Sequence, residues 1–344
     1  MRDAIKTPRL LLRPFAESDY PLLLKLSSDP DTVKYLNSWG RNGLTPEQDA
    51  RRFLDYARNG WAKDPIRLRE YCVTLRETGE AIGDASMEIL EDQTAEIGWI
   101  LLPDQRGMGY ATEAGEAMMD LAFTAIHRQR AIAHCDTRNL ASIQVMERLG
   151  MQHAFVEKEG RKPKYEGGPQ GDEATWEIRR FDWAWRKYRK LTCNFQGFLP
   201  LPPLEDGAVR LTCQEEAPAD PEKGWVPCLH FLIFAEGKPA GTIDLRLGTA
   251  DSLFYSGHIG YGIGEDCRGK GYALRACRLL QPILRLFGMN GAIITNDVNN
   301  IASRRVCEKL GCLFLCRARL PEDHDMRLRE GMDEVNVFLL PAAD

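Results

Sequence analysis

EIGWILLPDQRGMGYATE, residues 96–113, and HIGYGIGEDCRGKGYALR, residues 258–275, are two copies of one pattern, and reading them decides the fold. Each is a short strand-like run that enters an Arg-Gly-x-Gly-Tyr-Ala turn and then a helical pattern. Downstream stands a second matched pair, NLASIQVMERLGM from Asn139 and NIASRRVCEKLGC from Asn300. The arginines Arg106 and Arg268 lie 162 positions apart, and the two asparagines 161. Two separate segments repeating at nearly one spacing mean duplicated domains, because a solenoid would repeat every ~20–50 residues. Upstream, ETGEAIG (77–83) and AEGKPAG (235–241) echo one another as a turn between two strands.

Working outward, the two copies share one coarse order. In the first, YCVTL (71–75) and AIGDASMEIL (81–90) read as antiparallel strands around a Gly-containing turn. Residues 95–102 read as the next strand, ending at Pro103. Between Tyr110 and His127 the apolar positions Ala114, Met118, Leu121, Ala122 and Ala125 follow helical spacing. RAIAHC (130–135) reads as a short buried strand, and Asn139 as the N-cap of a helix that ends at Gly150. HAFVEKEG and EATWEIRRF read as a last pair of strands. Strands followed by helix–strand units imply an α/β fold with a mixed, twisted sheet in each copy. The expected domains are 1–186 and 207–344, joined by a linker at 187–206 whose proline-rich end, FLPLPPLEDG, is semi-stiff. Between Phe15 and Pro65 the first copy spends about fifty residues, with helical patterns at 18–26 and 46–57. The second has only CQEEAPADPEKGWVP before its hairpin, so its leading helices are shortened or absent.

Composition supports this division. The chain has 344 residues, 44% hydrophobic and 28% charged, enough for two globular cores. A net charge of −5 gives no basic field for nucleic acid or an anionic membrane surface. No run of ~18 apolar residues offers a membrane span, and the opening MRDAIKTPRLLLRPF lacks the apolar run of a signal peptide. Ten cysteines without a CxxC pair read as free thiols, which suits the cytoplasm. Cys312-x3-Cys316 alone is not a zinc site, so no metal is expected. The aromatic, basic stretch FDWAWRKYRK (181–190) reads as a polyanion site or, given the acidic whole, as a strand end running into a solvated connector.

The two glycine turns carry the chemistry. Glycines at a strand-to-helix junction let the backbone approach a ligand, and first-turn N–H groups have no intrahelical acceptor. Those donors and the helix dipole suit a phosphate or pyrophosphate. The alternative is a tight turn without a ligand, which the second copy, with its own NxAS helix, makes less economical. Gly264-x4-Gly269-Lys270 mimics a P-loop, but Gly271 occupies the Ser/Thr position that would meet magnesium. Neither loop has the GxGxxG order of a dinucleotide fold.

With R-x-x-G-x-A after a strand, and Asn-x-x-Ser opening a helix that ends Glu-Arg/Lys-Leu-Gly, the chain resembles the GNAT N-acetyltransferase superfamily over about residues 7–186 and 208–341. The first copy resembles the Rim-type branch, which acetylates protein N-termini and has relatives that acetylate small amines. The resemblance implies tandem GNAT-like acyltransferase domains and acetyl-CoA as donor. The acceptor it implies is a primary amine, on a protein N-terminus or a small molecule, attacking directly in a ternary complex. It implies pyrophosphate on the loop Arg106, Gly107, Met108, Gly109, Tyr110, Ala111 and Thr112, with pantetheine along the strand past Ile100, Leu101 and Leu102 and near Asn139. In the second copy the matching positions are Gly262, Ile263 and Gly264, then Arg268, Gly269, Lys270, Gly271, Tyr272 and Ala273, with Asn300. An N-cap role alone also accounts for both asparagines.

Glu96 stands where several superfamily members carry a carboxylate that removes the amine proton, or is an outward-facing strand glutamate. His258 replaces it in the second copy, as a base titrating near neutrality or as a structural histidine. Members often protonate the departing thiolate with a tyrosine just before the Glu of the helix ending. That slot holds Met146 and Cys307 here. Ser142 and Ser303 are the candidate donors instead, the alternative being capping support for the helix start. A second reading of the whole makes one copy a non-catalytic acyl-CoA-binding or docking module, favoured by the short leader of the second.

Overall fold

A computed structural model describes residues 4–35, 43–62, 67–161 and 171–342. The chain divides into two units, Met1–Arg180 and Phe181–Asp344.

The first unit opens with strands β1 (Ile5–Lys6) and β2 (Leu10–Pro14), followed by helices α1 (Tyr20–Ser28), α2 (Pro30–Val33) and α3 (Pro46–Ala62). Strands β3 (Leu68–Leu75), β4 (Ala81–Ile89) and β5 (Thr94–Leu101) form a meander, and α4 (Tyr110–Asp120) follows. Then come β6 (Arg130–Asp136), α5 (Leu140–Arg148), β7 (Gln152–Arg161) and β8 (Gly171–Arg179). One sheet takes the order β1-β2-β3-β4-β5-β6-β8-β7. Every pairing is antiparallel except β5 with β6. Six of the eight residues of β3 are buried, as in a strand covered on both faces. Leu22, Leu23 and Leu26 of α1 and Ala50, Leu54 and Ala57 of α3 recur at helical spacing and close over Phe15, Cys72 and Leu102.

The parallel pair fixes the site. β5 and β6 are paired only from Thr94–Arg130 to Glu96–Ile132, and past Glu96 the strands part into a fork. On the other side β5 stays paired with β4 as far as Leu101. There a Cβ on Gly83 would come 2.1 Å from the Ile100 carbonyl oxygen, so only glycine permits the approach. Gly241, its counterpart in the repeated turn, stands 2.1 Å in the same sense from the Gly262 carbonyl oxygen.

The second unit begins with α6 (Arg180–Arg189), β9 (Leu204–Glu205) and β10 (Val209–Ala217). The hairpin β11 (Cys228–Ala235) and β12 (Lys238–Arg246) leads through α7 (Leu253–Ser256) to β13 (Ile259–Ile263). α8 (Tyr272–Leu286), β14 (Gly291–Asp297), α9 (Ile301–Leu310), β15 (Leu313–Arg319), α10 (Asp325–Glu330) and β16 (Glu334–Pro341) complete it. Its strands form two sheets, β13-β12-β11-β10-β9 and β14-β16-β15. Among the described residues no ladder joins β13 to β14; the backbones meet just before β13, where His258 N–H donates to the Ile293 carbonyl at 2.7 Å, and part beyond it. A turn bridged between Asp220 and Trp225 replaces the three leading helices.

The stretch 187–206, expected as a linker, is packed. Its first residues belong to α6, and the rest lies on the second unit's core through Phe195, Phe198 and Leu201. Asn194 N–H donates to the Phe287 carbonyl at 2.8 Å. FDWAWRKYRK is likewise not a strand end running into a solvated connector: it forms the helix α6 and packs. Trp185 packs edge-on against Phe254 with centroids 4.6 Å apart, and the buried Tyr188 donates its hydroxyl to the Ala250 carbonyl. No helix among the described residues is long and apolar enough to cross a membrane.

Candidate functional site

A cavity of about 530 Å³ opens at the fork of the first unit. Trp99, Ile100 and Leu101 of β5 form one side, Gly107, Gly109, Tyr110, Ala111 and Thr112 the floor, and Asn139, Ser142 and Val145 of the α5 region the other side. Gly107 and Gly109 hold left-handed φ values of 77° and 82°, which other residues adopt only under strain. Gly109 caps α4 with no side chain over its end, so the first-turn amides face the cavity uncapped. Of the ten donor residues expected on loop and strand, Leu102 and Met108 do not line the cavity. Leu102 is turned into the apolar cluster beneath α1 and α3, and Met108 is an exposed residue at the loop's outer edge.

Sequence reading missed the loop's brace and one wall. Arg9 donates from Nη1 to the Met108 carbonyl at 2.9 Å and from Nε to Glu113 Oε2 at 2.7 Å, with its guanidinium over the Tyr110 ring. Burial alone would raise the Glu113 pKa, but hydrogen bonds from Thr7 and Arg9 outweigh it and hold the carboxylate ionised. That pairing neutralises an anion beside the uncapped first turn of α4. The wall is α2 and the residues after it, Asp31, Thr32, Lys34 and Tyr35. Brace and wall are remote in sequence from the loop, and neither carries a local motif.

Glu96 occupies the fork's apex, on the face of β5 opposite Trp99, and is 40% exposed. Burial pushes its pKa up; the facing His134, with Nε2 3.9 Å from Oε2, pulls it down, while Glu88 and Glu173 push it up further. His134 Nδ1 and Thr175 Oγ1 share a hydrogen bond of 2.9 Å, which sets the ring's orientation toward Glu96. Further along this face lie Glu70 and Asp84, where burial raises both carboxyls, Asp84 to about 7. Asn139 accepts the Ser142 N–H at 3.2 Å as an N-cap, so the cap and the cavity wall are one structure. Met146, in the slot of the absent tyrosine, is fully buried.

The second unit repeats the loop, but the residue at the head of its fork is sealed from solvent. Gly269 and Gly271 have φ 77° and 80°, Gly271 caps α8, and Asn300 accepts the Ser303 N–H at 3.0 Å. The Ser303 hydroxyl is taken by Tyr261, 2.9 Å away. His258 is fully buried with both ring nitrogens engaged. Nδ1 accepts the Ile293 N–H at 2.9 Å, and Nε2, which therefore carries the proton, donates to the Gly248 carbonyl at 3.0 Å. The expectation of His258 as a base is thus corrected: the ring ties the start of β13 to β14, adding to the backbone bond from His258 N–H to the Ile293 carbonyl at 2.7 Å.

Burial lowers the His258 pKa to about 4, against an ordinary value near 6.5. The unfolded chain therefore takes a proton that the folded one refuses. The stability this ring contributes is whole above pH 6.5 and falls as pH drops toward 4, by about 3 kcal/mol. Denaturant unfolding of wild type and His258→Ala is expected to show a stability gap that narrows by that amount between about pH 7 and pH 4. A gap independent of pH would mean the ring is not held neutral.

The sequence profile of the acetyltransferase (GNAT) domain matches the chain twice, over residues 9–152 and 170–313. The uncharacterized N-acetyltransferase YnaD of Bacillus subtilis is 31% identical over 149 residues, 43% of this chain and 82% of that protein. A solved GNAT-family acetyltransferase from Bacillus anthracis is 28% identical, with a TM-score of 0.43, covering 51% of this chain and 98% of its own. Mycobacterium smegmatis RimJ, solved with CoA-disulfide, is 19% identical with a TM-score of 0.43, covering 50% and 83%.

Proposed function

Since the chain belongs to the GNAT acetyltransferase family, we propose that its first unit transfers acetyl from acetyl-CoA to a primary amine, and that its second unit keeps a donor-type loop without a working centre. The observation that carries this reading is the asymmetry at the fork. Glu96 stands partly exposed at the apex of an open fork, whereas His258 is sealed inside the second.

The first unit's cavity fits the donor: uncapped first-turn amides and two left-handed glycines leave room for a pyrophosphate, and Arg106 lines the same wall. Acetyl-CoA supplies the activated carbonyl and a thiolate leaving group. Fixing both substrates at the fork removes the need for a covalent enzyme intermediate. An amine with a pKa of about 8–10 arrives largely protonated, and Glu96 takes that proton directly or through water. Glu88 and Glu173 beside it favour a cation at this place. Ser142, on the cavity wall, donates a hydrogen bond to the departing sulfur. The ten free thiols suit a reducing cytoplasm. A second reading, coenzyme docking on the second unit, rests on Gly269 and Gly271 keeping the loop geometry of the first.

Ser142→Ala is expected to lower kcat about tenfold with the acetyl-CoA KM unchanged, because the lost bond forms only as the sulfur gains charge. Steady-state kinetics with any accepted amine checks this, and an unaltered kcat would return Ser142 to helix capping. The proposal itself is tested by acetyl-CoA consumption across a panel of amines, which should be amine-dependent.

A further inference from the structure

Arg106 and Arg268 hold one bond in common and differ in the rest of the guanidinium. Arg106 Nε donates to the Leu101 carbonyl at 3.1 Å, and Arg268 Nε to the Ile263 carbonyl at 3.2 Å, each closing its loop onto the end of the strand. From there Arg268 reaches only the exposed Glu265, 3.7 Å away, among the described residues. Arg106 Nη2 instead donates to Thr32 Oγ1 at 2.5 Å, with Asp29 Oδ2 3.9 Å from the same nitrogen. The Thr32 hydroxyl in turn donates to Asp29 Oδ2, at 2.5 Å. Asp29 also caps α2, accepting the Thr32 N–H at 2.7 Å. Those two bonds from Thr32, with Arg106 nearby, hold the Asp29 carboxylate below its usual pKa. Thr32 is 4% exposed. Capping α2 needs only its N–H, so the hydroxyl is left as a junction between Asp29 and Arg106.

The junction joins two parts of one cavity. Asp31, Thr32, Lys34 and Tyr35 form the wall that faces Gly107, Gly109 and Tyr110. We propose that Asp29, Thr32 and Arg106 form a strut through which the donor loop and the α2 wall set each other's position, making Thr32 and Asp29 positioning residues for the donor. The inference rests on the reading of this cavity as the acetyl-CoA site. By linkage, whatever seats Arg106 for the coenzyme also steadies α2, and a shifted α2 costs coenzyme affinity in the same measure. Among the described residues the second unit has no counterpart of α2 or of the strut, so its loop is expected to be the weaker coenzyme site.

The test is calorimetric titration with coenzyme A of the full chain carrying Gly271→Glu, which obstructs the second loop. Thr32→Val keeps the shape and removes the hydroxyl; it is expected to raise Kd about tenfold, as for a lost hydrogen bond to a charged group. Thr32→Ser restores the hydroxyl and should return Kd to within about twofold. In turnover the acetyl-CoA KM should follow Kd while kcat holds, a split that simple loss of folded protein does not produce. Equal Kd for the parent chain and the Thr32→Val chain would overturn the strut, as would Thr32→Ser binding as weakly as Thr32→Val. If Thr32→Val fails to fold, Asp29→Asn carries the test, with about a threefold rise expected and no change overturning the strut. A parent chain that binds no coenzyme A would overturn the donor-site reading, and the strut with it.

Discussion

Gly109→Glu is expected to remove one coenzyme A site per chain and to raise Kd at the first unit by about a hundredfold or more. Gly109 sits at φ 82° and caps α4, so any side chain there strains the turn by roughly 1–2 kcal/mol. A Cβ at this position would stand 3.4 Å from Arg9 Nη2. The new carboxylate would therefore pair with Arg9 and lie over the first-turn amides, filling the anion slot with a fixed charge. Repulsion and bulk then act together against a pyrophosphate, and about 3 kcal/mol is enough for the hundredfold loss. Calorimetry reads both stoichiometry and affinity. Unchanged stoichiometry and affinity would mean that the loop is a turn and nothing more.

Glu96→Gln is expected to lower kcat by about a hundredfold near neutral pH, within the range of a positioned proton acceptor. The amide keeps the shape and cannot take a proton. Burial raises the Glu96 pKa, with His134 opposing and Glu88 and Glu173 adding. The carboxylate works as a base only above that raised pKa, so the wild-type rate climbs with pH through it. The variant should lack this limb and follow the amine's own ionisation alone. Its deficit is greatest between that raised pKa and the amine's own, and closes above as the amine loses its proton unaided and below as the wild-type carboxylate is itself protonated. A variant whose pH–rate profile overlays that of wild type would make Glu96 an ordinary strand residue.

What local sequence carries, and what it does not, divides along physical lines. The paired strand–loop–helix segments were legible because a glycine at Gly107 or Gly109 answers to its own φ, and an N-cap such as Asn139 or Asn300 to the amide three residues on. Gly83 and Gly241 showed as an echo in sequence, although the carbonyl oxygens that demand them lie on the neighbouring strand. His258 was not legible: its flanking residues match those of Glu96, and only Ile293 and Gly248 turn it into a stitch. Nor was the packing of 187–206, since an aromatic and proline-rich composition does not say whether a core lies against it. The brace from Arg9 and the wall at Thr32 belong to the same class, since each acts on a loop about a hundred or seventy residues away.

The division of labour between the units is tested most directly by following thiol release from acetyl-CoA, with a panel of primary amines, in wild type and in Gly109→Glu. That substitution leaves the loop at Gly269 and Gly271 intact. With acetyl-CoA held well below its KM, wild type should release coenzyme A in an amine-dependent way, and the variant should fall to about one per cent of that rate or below, matching its lost affinity. Undiminished amine-dependent release by Gly109→Glu would contradict this and place the chemistry in the second unit.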